Sequence, residues 1–286
     1  MPDETVRITR RHREWQAWAG STADLERIAQ LMQKLMDQRR DALIAVYERD
    51  HPLPTPVGKP DATEEDGRAF YEYLSYQQEV ARIERAINEI RVATGLKVAL
   101  TDRHADEVIG EADVLAEFDR RTYQVVKFDG KFPHSAFSER LEVKMERQTP
   151  LAGLSLQVTS VEPGWAKQAL AELSEEIDHG SPWWGFFRTQ RGSALFGMLL
   201  FILVTIVGGL LLTLVDWKAS VESWLAPGVA AAFVLGISVS ESHRPWLFPS
   251  IEIVNEGEKP KGSRVIPFLA TLVLTSVIGI AINTVK

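Results

Sequence analysis

Ala194 to Val215 reads ALFGMLLFILVTIVGGLLLTLV, an uncharged run of 22 residues. At about 1.5 Å per residue, a helix of that length crosses the roughly 30 Å hydrocarbon layer of a bilayer. The run is therefore expected to be a transmembrane helix. Val265 to Val285, VIPFLATLVLTSVIGIAINTV, is charge-free over 21 residues. Its Pro267 falls in the first turn, where a helix has no internal donor to lose. Between the two, Leu225 to Ser240, LAPGVAAAFVLGISVS, offers 16 residues. That is about 24 Å of helix, so this segment either crosses or lies re-entrant.

Charge favours a crossing, because cytoplasmic flanks retain Lys and Arg. With three spans and the N-terminal half inside, Arg244, Lys259, Lys261 and Arg264 share the cytoplasmic side, and Lys218 and Lys286 lie outside. With two spans, those four and Lys218 would all be outside. The opening residues, MPDETVRITRRHREW, hold no apolar run of signal-peptide type. The expectation is a multi-pass protein of a plasma (inner) membrane, with spans at about 194–215, 225–240 and 265–285 and a cytoplasmic N-terminal domain.

Amphipathic indoles settle at the headgroup level. Trp183, Trp184, Phe186 and Phe187, with Arg188 and Arg191 for lipid phosphates, form an expected interfacial anchor over residues 182–193. Trp217, Trp224 and Trp246 edge the other apolar segments. Small residues recur at a spacing of four, on one helix face: Thr205, Gly209 and Thr213; Gly228, Ala232, Gly236 and Ser240; Thr271, Thr275, Gly279 and Asn283. Such faces let helices approach closely in lipid, so they are expected to pack as a bundle. No ionisable residue lies inside a span, which argues against a transporter or pump.

The remaining chain is a different solvent problem. The formal charge is −7 overall, from 32 basic and 39 acidic residues, and the acidic excess sits in residues 1–182. An acidic front half argues against nucleic acid. The absence of cysteine removes disulfides, thiolate metal sites and a Cys nucleophile.

From Ser21 or Thr22 as N-cap, Leu25, Ile28, Met32, Leu35, Ala42 and Val46 follow helical spacing to about Arg49. HPLPTPVGKP, residues 51–60, ends that helix. A second helix is expected from Thr63 to about Thr94, stopped by Gly95. Its Tyr73, Tyr76, Val80, Ile83, Ile87 and Ile90 alternate steps of three and four, the seam of a coiled coil or hairpin and a candidate partner surface. Beyond Gly95 the period shortens. Lys97 to Thr101 and Tyr123 to Phe128 read as strands, as do the stretches bearing Leu141, Val143 and Met145, and Leu154, Leu156 and Val158. Asp129-Gly130 and Thr149 to Gly153 are expected breaks, and Glu111 to Asp119 a short helix. Pro163 to Gly180 reads as a helix with an apolar stripe of Trp165, Ala169, Leu173 and Ile177. The whole predicts a helical hairpin region over 1–95, a small α+β domain with an antiparallel sheet over 96–181, and an all-α membrane domain over 194–286.

Catalytic signals are weak. His104 near Asp102, Asp106 and Glu107 reads as a polar loop before it reads as a metal or acid–base site, and no HExxH, GxSxG or phosphate-loop spacing occurs. His179 suits a helix C-terminus. No cofactor, metal or enzymatic activity is expected. The most informative segment is HRPWLFPSIEIVNEGEKPKGSR, residues 243–264, whose Phe248, Ile251 and Ile253 are buriable in a stretch too proline-broken for a helix. Such a loop must cover itself against lipid or protein. It is expected to dock under the soluble domain, to add a SIEIV strand to that domain, or to meet a partner. The chain thus reads as a membrane-anchored protein-recognition or assembly module, with a homo-oligomer or another protein as partner. An oligomerising membrane-permeabilising effector or channel-like protein gated by the soluble domain is the alternative, and a membrane-bound enzyme acting through His104 and its neighbouring carboxylates the lesser one.

Overall fold

The structure, a computed structural model, describes residues 8–59, 67–117, 123–132, 139–147, 153–189, 191–198 and 248–255, with 201, 257–261, 263, 264, 267, 271 and 275. Helix α1 runs Thr22–Asp50. Its start is set by a reciprocal cap: the Asp24 amide donates to Ser21 Oγ at 3.3 Å, and Asp24 Oδ2 accepts from the Ser21 amide at 2.6 Å. The acidic Asp24 also complements the positive end of the helix dipole. Helix α2, Gly67–Ala93, follows the proline-rich segment. Helix α3, Pro163–His179, has Pro163 at its start and Gly180 at its C-cap, as the composition of its ends predicts.

Six strands form one antiparallel sheet: β1 Thr9–Trp15, β3 Gly95–Asp102, β4 Glu107–Gly110, β5 Tyr123–Phe132, β6 Glu139–Glu146 and β7 Leu154–Ser160, in the order β1-β7-β6-β5-β3-β4. Two further strands, β2 Trp18–Gly20 and β8 Ile251–Ile253, pair in parallel as a separate ribbon. One face of the large sheet is apolar. Val98, Phe128, Val143 and Leu156 on it are fully buried against Leu25, Met32 and Leu35 of α1 and Ala169, Leu173 and Ile177 of α3. The opposite face carries ion pairs, including a two-pronged contact from Arg140 to Asp129 at 2.8 and 3.1 Å. This division is the inward-apolar, outward-polar alternation of a half-covered antiparallel sheet.

Several expectations change. Helix α1 packs on β3 and β5, in one core with the sheet. Asp129-Gly130 is not a break but lies inside β5. Turn propensity is outweighed there because Asp129 meets Arg140, while Gly130 leaves room for Met36, whose Sδ would lie 2.3 Å from any added Cβ. The expected short helix is a 3₁₀ segment, Ala112–Glu117. Strands β1 and β2 have no periodic apolar signal, since β1 reads TRRHREW. Strand β1 exists by pairing with β7 along its whole length, from Thr9 opposite Ser160 to Trp15 opposite Leu154.

The three expected spans fall almost wholly outside the described residues. Residues 191–198, at the start of the first run, are helical. Among the described residues no helix is long and apolar enough to cross a membrane.

Candidate functional site

The informative structural unit is where the chain leaves the domain and where it returns. On leaving, α3 is followed by a 3₁₀ segment, Trp183–Arg188, and the helical residues 191–198. On returning, residues 248–253 are inserted into the domain. Phe248 is fully buried. Its ring stacks on Phe187 at 5.3 Å, meets Phe196 edge-on at 5.3 Å and lies 6.2 Å from Trp184. Such aromatic contacts add to the area each ring buries. Arg188 Nη1 donates to the Phe248 carbonyl at 2.8 Å, fixing the exit and the return to each other.

Three residues on, the returning chain becomes β8. The Trp18 amide donates to the Ser250 carbonyl and the Val254 amide to the Gly20 carbonyl, each at 2.9 Å. Ser250 Oγ shares its one proton between the Glu146 carbonyl, at 2.8 Å, and the Arg147 carbonyl. Ile251 joins the main core and Ile253 packs against it. Close approach is needed beneath the strap: a Cβ on Gly153 would meet the Ser250 carbonyl oxygen at 2.6 Å. Residues 248–253 are therefore part of the α+β fold, held by backbone pairing, the Ser250 hydroxyl and an aromatic cluster.

The expected docking of the 243–264 loop is thus realised as a parallel two-stranded ribbon with β2, not as an extension of the large sheet. Phe248 and Ile251, read as a candidate partner surface, are consumed within the chain. Of the residues expected at a membrane interface, Trp184 and Arg188 turn inward, while Trp183 and Phe186 are 61% and 50% exposed and Arg191 is exposed. Phe187 is half-buried. Trp217, Trp224 and Trp246 lie outside the described residues. So do the small residues of the first two rows, with Gly279 and Asn283. Thr271 and Thr275 are described; their hydroxyls donate to the carbonyls of Pro267 and Thr271 at 2.8 and 2.7 Å. On α2, Ile83 and Ile90 are buried and Tyr73, Tyr76, Val80 and Ile87 half-buried. That stripe is largely turned to its own fold, and Phe70 and Tyr71 are the exposed aromatics of α2.

Comparison with protein-family models, curated proteins and solved structures returns no match for this chain. Function must then be argued from its own groups. The His104 segment is a turn: Asp102 Oδ1 accepts from the amides of His104 and Asp106 at 2.7 and 2.9 Å, and Ala105 adopts a left-handed φ of 64°. The Asp102 carboxylate is spent on backbone, as an Asx turn requires.

One ionisable group belongs to the strap itself. Glu252 is 9% exposed and both its carboxylate oxygens accept from the Lys261 amide at 2.9 Å. Burial raises its pKa above the ordinary carboxylate value, against the pull of the Lys261 amide and the charges of Lys261, Arg147 and Arg264. A carboxyl whose folded pKa is raised holds its proton more tightly in the folded state. Its contribution is favourable at low pH and is lost as pH rises from the unfolded value through the folded one. Glu252→Gln is expected to remove that loss while keeping an acceptor for Lys261. In thermal melts the variant should gain on the parent as pH rises from the carboxylate range toward neutrality, and parallel profiles would refute it.

Proposed function

We propose that this protein is a membrane-anchored interaction module: an acidic cytoplasmic α+β domain held at the inner face of a plasma membrane by three helices, acting by protein recognition or assembly and not by catalysis. The supporting observation is the strap. Residues 248–253 follow the second apolar run and precede the third, yet they are built into the domain that precedes the first. If 194–215 crosses the bilayer, the chain must cross back before residue 248, and 225–240 is the only apolar run between them long enough to do it. That geometric argument is independent of the charge argument and agrees with it.

The test uses the missing cysteines, since any introduced Cys is the sole target. Ser250 is fully buried and would be shielded on either side of a membrane, whereas Lys259 is exposed. Single variants Lys259→Cys and Ser220→Cys are treated in intact cells with a membrane-impermeant maleimide. Labelling of Ser220→Cys, with Lys259→Cys protected until lysis, is the expected outcome. Labelling of Lys259→Cys in intact cells would overturn the three-span reading.

A second reading is favoured by the contact between Phe196, at the start of the first apolar run, and Phe248 of the strap. It couples the domain to the runs on both sides, as an effector gated by its soluble domain would need. In that case expression depolarises cells, and Gly209→Leu or Gly236→Leu abolishes the effect.

A further inference from the structure

The exit from the α+β domain is a packed joint. Thr189 closes the 3₁₀ segment and opens the helical residues 191–198: its Oγ1 donates to the Phe186 carbonyl at 2.7 Å and accepts from the Gly192 amide at 3.1 Å, and its carbonyl accepts from the Ser193 amide at 2.8 Å. Gly192 lies so close to the 3₁₀ segment that an added Cβ would collide with the Phe186 carbonyl oxygen. One turn on, Phe196 is buried between Phe187 and Phe248. The first helical turn of the charge-free run is thus packed on the domain, which cannot swing freely about it.

What the joint leaves outside is apolar. Leu195 and Met198, on the same turn as Phe196, are both exposed. The exposed rings of Trp183 and Phe186 each rest edge-on against Phe187, at 6.3 and 5.9 Å, and Phe187 meets Phe196 at 6.1 Å. Both therefore sit within two ring contacts of that turn. Depth along the exit helix follows from its rise per residue. Leu195 lies about 4.5 Å beyond Gly192, and so beyond the Phe186 backbone, and about 6 Å beyond Arg191. The headgroup layer on each side of the hydrocarbon is roughly 5–8 Å thick. With that helix near the bilayer normal and Leu195 at the hydrocarbon edge, Phe186 and the exposed Arg191 fall at headgroup depth, where aromatic rings and basic side chains are favoured.

We propose that the α+β domain rests on the bilayer in one orientation, with the face carrying Trp183, Phe186 and Arg191 seated in the phospholipid headgroup layer. The inference rests on the reading that residues 194–215 cross a bilayer, and it goes beyond it. A crossing run fixes only where the chain enters, whereas the packed joint fixes which side of the domain meets lipid. The aromatic and basic residues of the exit divide the work: Trp184, Phe187 and Arg188 turn inward and build the joint, and Trp183, Phe186 and Arg191 face outward. Lipid is the occupant because the patch is continuous with the charge-free run. A protein partner would have to displace headgroups from a surface that begins within one helical turn of the hydrocarbon.

The test uses the full chain, in which each introduced cysteine is the single labelled site. Trp183→Cys and Phe186→Cys report on the patch, and Leu203→Cys on the charge-free run itself. Two exposed controls lie elsewhere: Ile109→Cys on β4, at the other edge of the sheet from β1 and about 24 Å from it, and Leu53→Cys past the far end of α1, about 43 Å from that helix's start beside β2. Each variant carries a nitrobenzoxadiazole fluorophore and is placed in nanodiscs of phosphatidylcholine and phosphatidylglycerol, with and without a nitroxide on the lipid near the headgroup. The expected result is loss of most emission to the nitroxide at 183, 186 and 203, with emission kept at 109 and 53. Quenching at 203 with none at 183 and 186 would overturn the seated face and leave the crossing intact. Quenching at 183 and 186 no stronger than at 109 and 53 would show a swinging domain and overturn the single orientation. No quenching at 203 would overturn the crossing, and the seated face with it.

Discussion

Arg39→Ala is expected to lower the stability of the α+β domain by about 3–5 kcal/mol, the cost of leaving a buried charge without its partner. Arg39 lies on α1, and its side chain is only 7% exposed; that of Glu139, at the start of β6, is completely buried. Arg39 Nε donates to Glu139 Oε2 at 3.0 Å and Nη2 to Oε1 at 2.9 Å, a two-pronged contact in which the planar guanidinium matches the carboxylate. The rest of the Glu139 shell is also filled. Ser160 Oγ donates to Oε1 at 2.6 Å and the Val161 amide at 3.0 Å, while Ser160 Oγ accepts from the Glu162 amide at 3.0 Å. A further Arg39 contact, to Glu162, is half-exposed and adds little. The pair thus ties α1, β6 and the entry to α3.

The sign of the pH dependence separates this account from a mere loss of packing. Burial pushes the Glu139 carboxyl upward, but Arg39, Ser160 and the Val161 amide together hold it below the ordinary carboxylate value. A lowered folded pKa contributes stability above the unfolded pKa, and this is lost as pH falls through the folded one. In Arg39→Ala the burial acts without its main counterweight, so the variant is expected to weaken as pH rises above the ordinary carboxylate range, where the parent keeps the stability it has gained. Chemical denaturation followed by tryptophan fluorescence should show a deficit that grows from pH 4.5 to 7.5. A constant deficit would show that the charge plays no part. Arg39→Met with Glu139→Leu is expected to recover part of the loss, because no charge then remains buried.

The second large effect concerns the strap. Ile251→Asp with Ile253→Asp, or Phe248→Ala alone, is expected to release residues 248–253 while the six-stranded sheet stays folded, because among the described residues the strap is held by the β2–β8 ribbon, the Ser250 hydroxyl, the aromatic cluster and the Ile251 and Ile253 side chains against the core, and the strand pairing of the large sheet involves none of these. Truncating a buried Phe costs about 3–5 kcal/mol. If that cost falls on local opening, cleavage there speeds up roughly a hundredfold or more. The reporter is trypsin cleavage after Arg188, which is 9% exposed and tied to the Phe248 carbonyl in the intact protein. Digestion in native membranes should show that site opening early in the variants. An unchanged rate at Arg188, or simultaneous loss of the whole domain, would count against a separable strap.

Much of the α+β fold was legible because its signals are local. The reciprocal Ser21–Asp24 cap, Pro163 and Gly180 at the ends of α3, and the alternation through Leu141, Val143 and Met145 each state the preference of a single element. The failures have one cause. Strand β1 carries Arg, His and Glu where a strand signal needs apolar residues, and only β7 beside it makes it a strand. Asp129-Gly130 has turn chemistry, overruled by Arg140 on β6 and Met36 on α1.

Residue types and their spacing mark which segments must leave water. The charge-free runs are expected to meet lipid, the stripes of α1 and α3 a core, and the Phe248 to Ile253 segment some protein or lipid surface, because apolar area seeks burial whatever covers it. Which surface covers which was decided by the tertiary structure alone. Arg39 finds Glu139 across 100 positions and Arg13 finds Asp178 across 165, and β8 finds β2 from beyond the first two apolar runs. Hydrophobic periodicity describes one element's face and carries no address for its partner. The address comes from shape, register and the closing of long loops, which leave no mark on the residues in between.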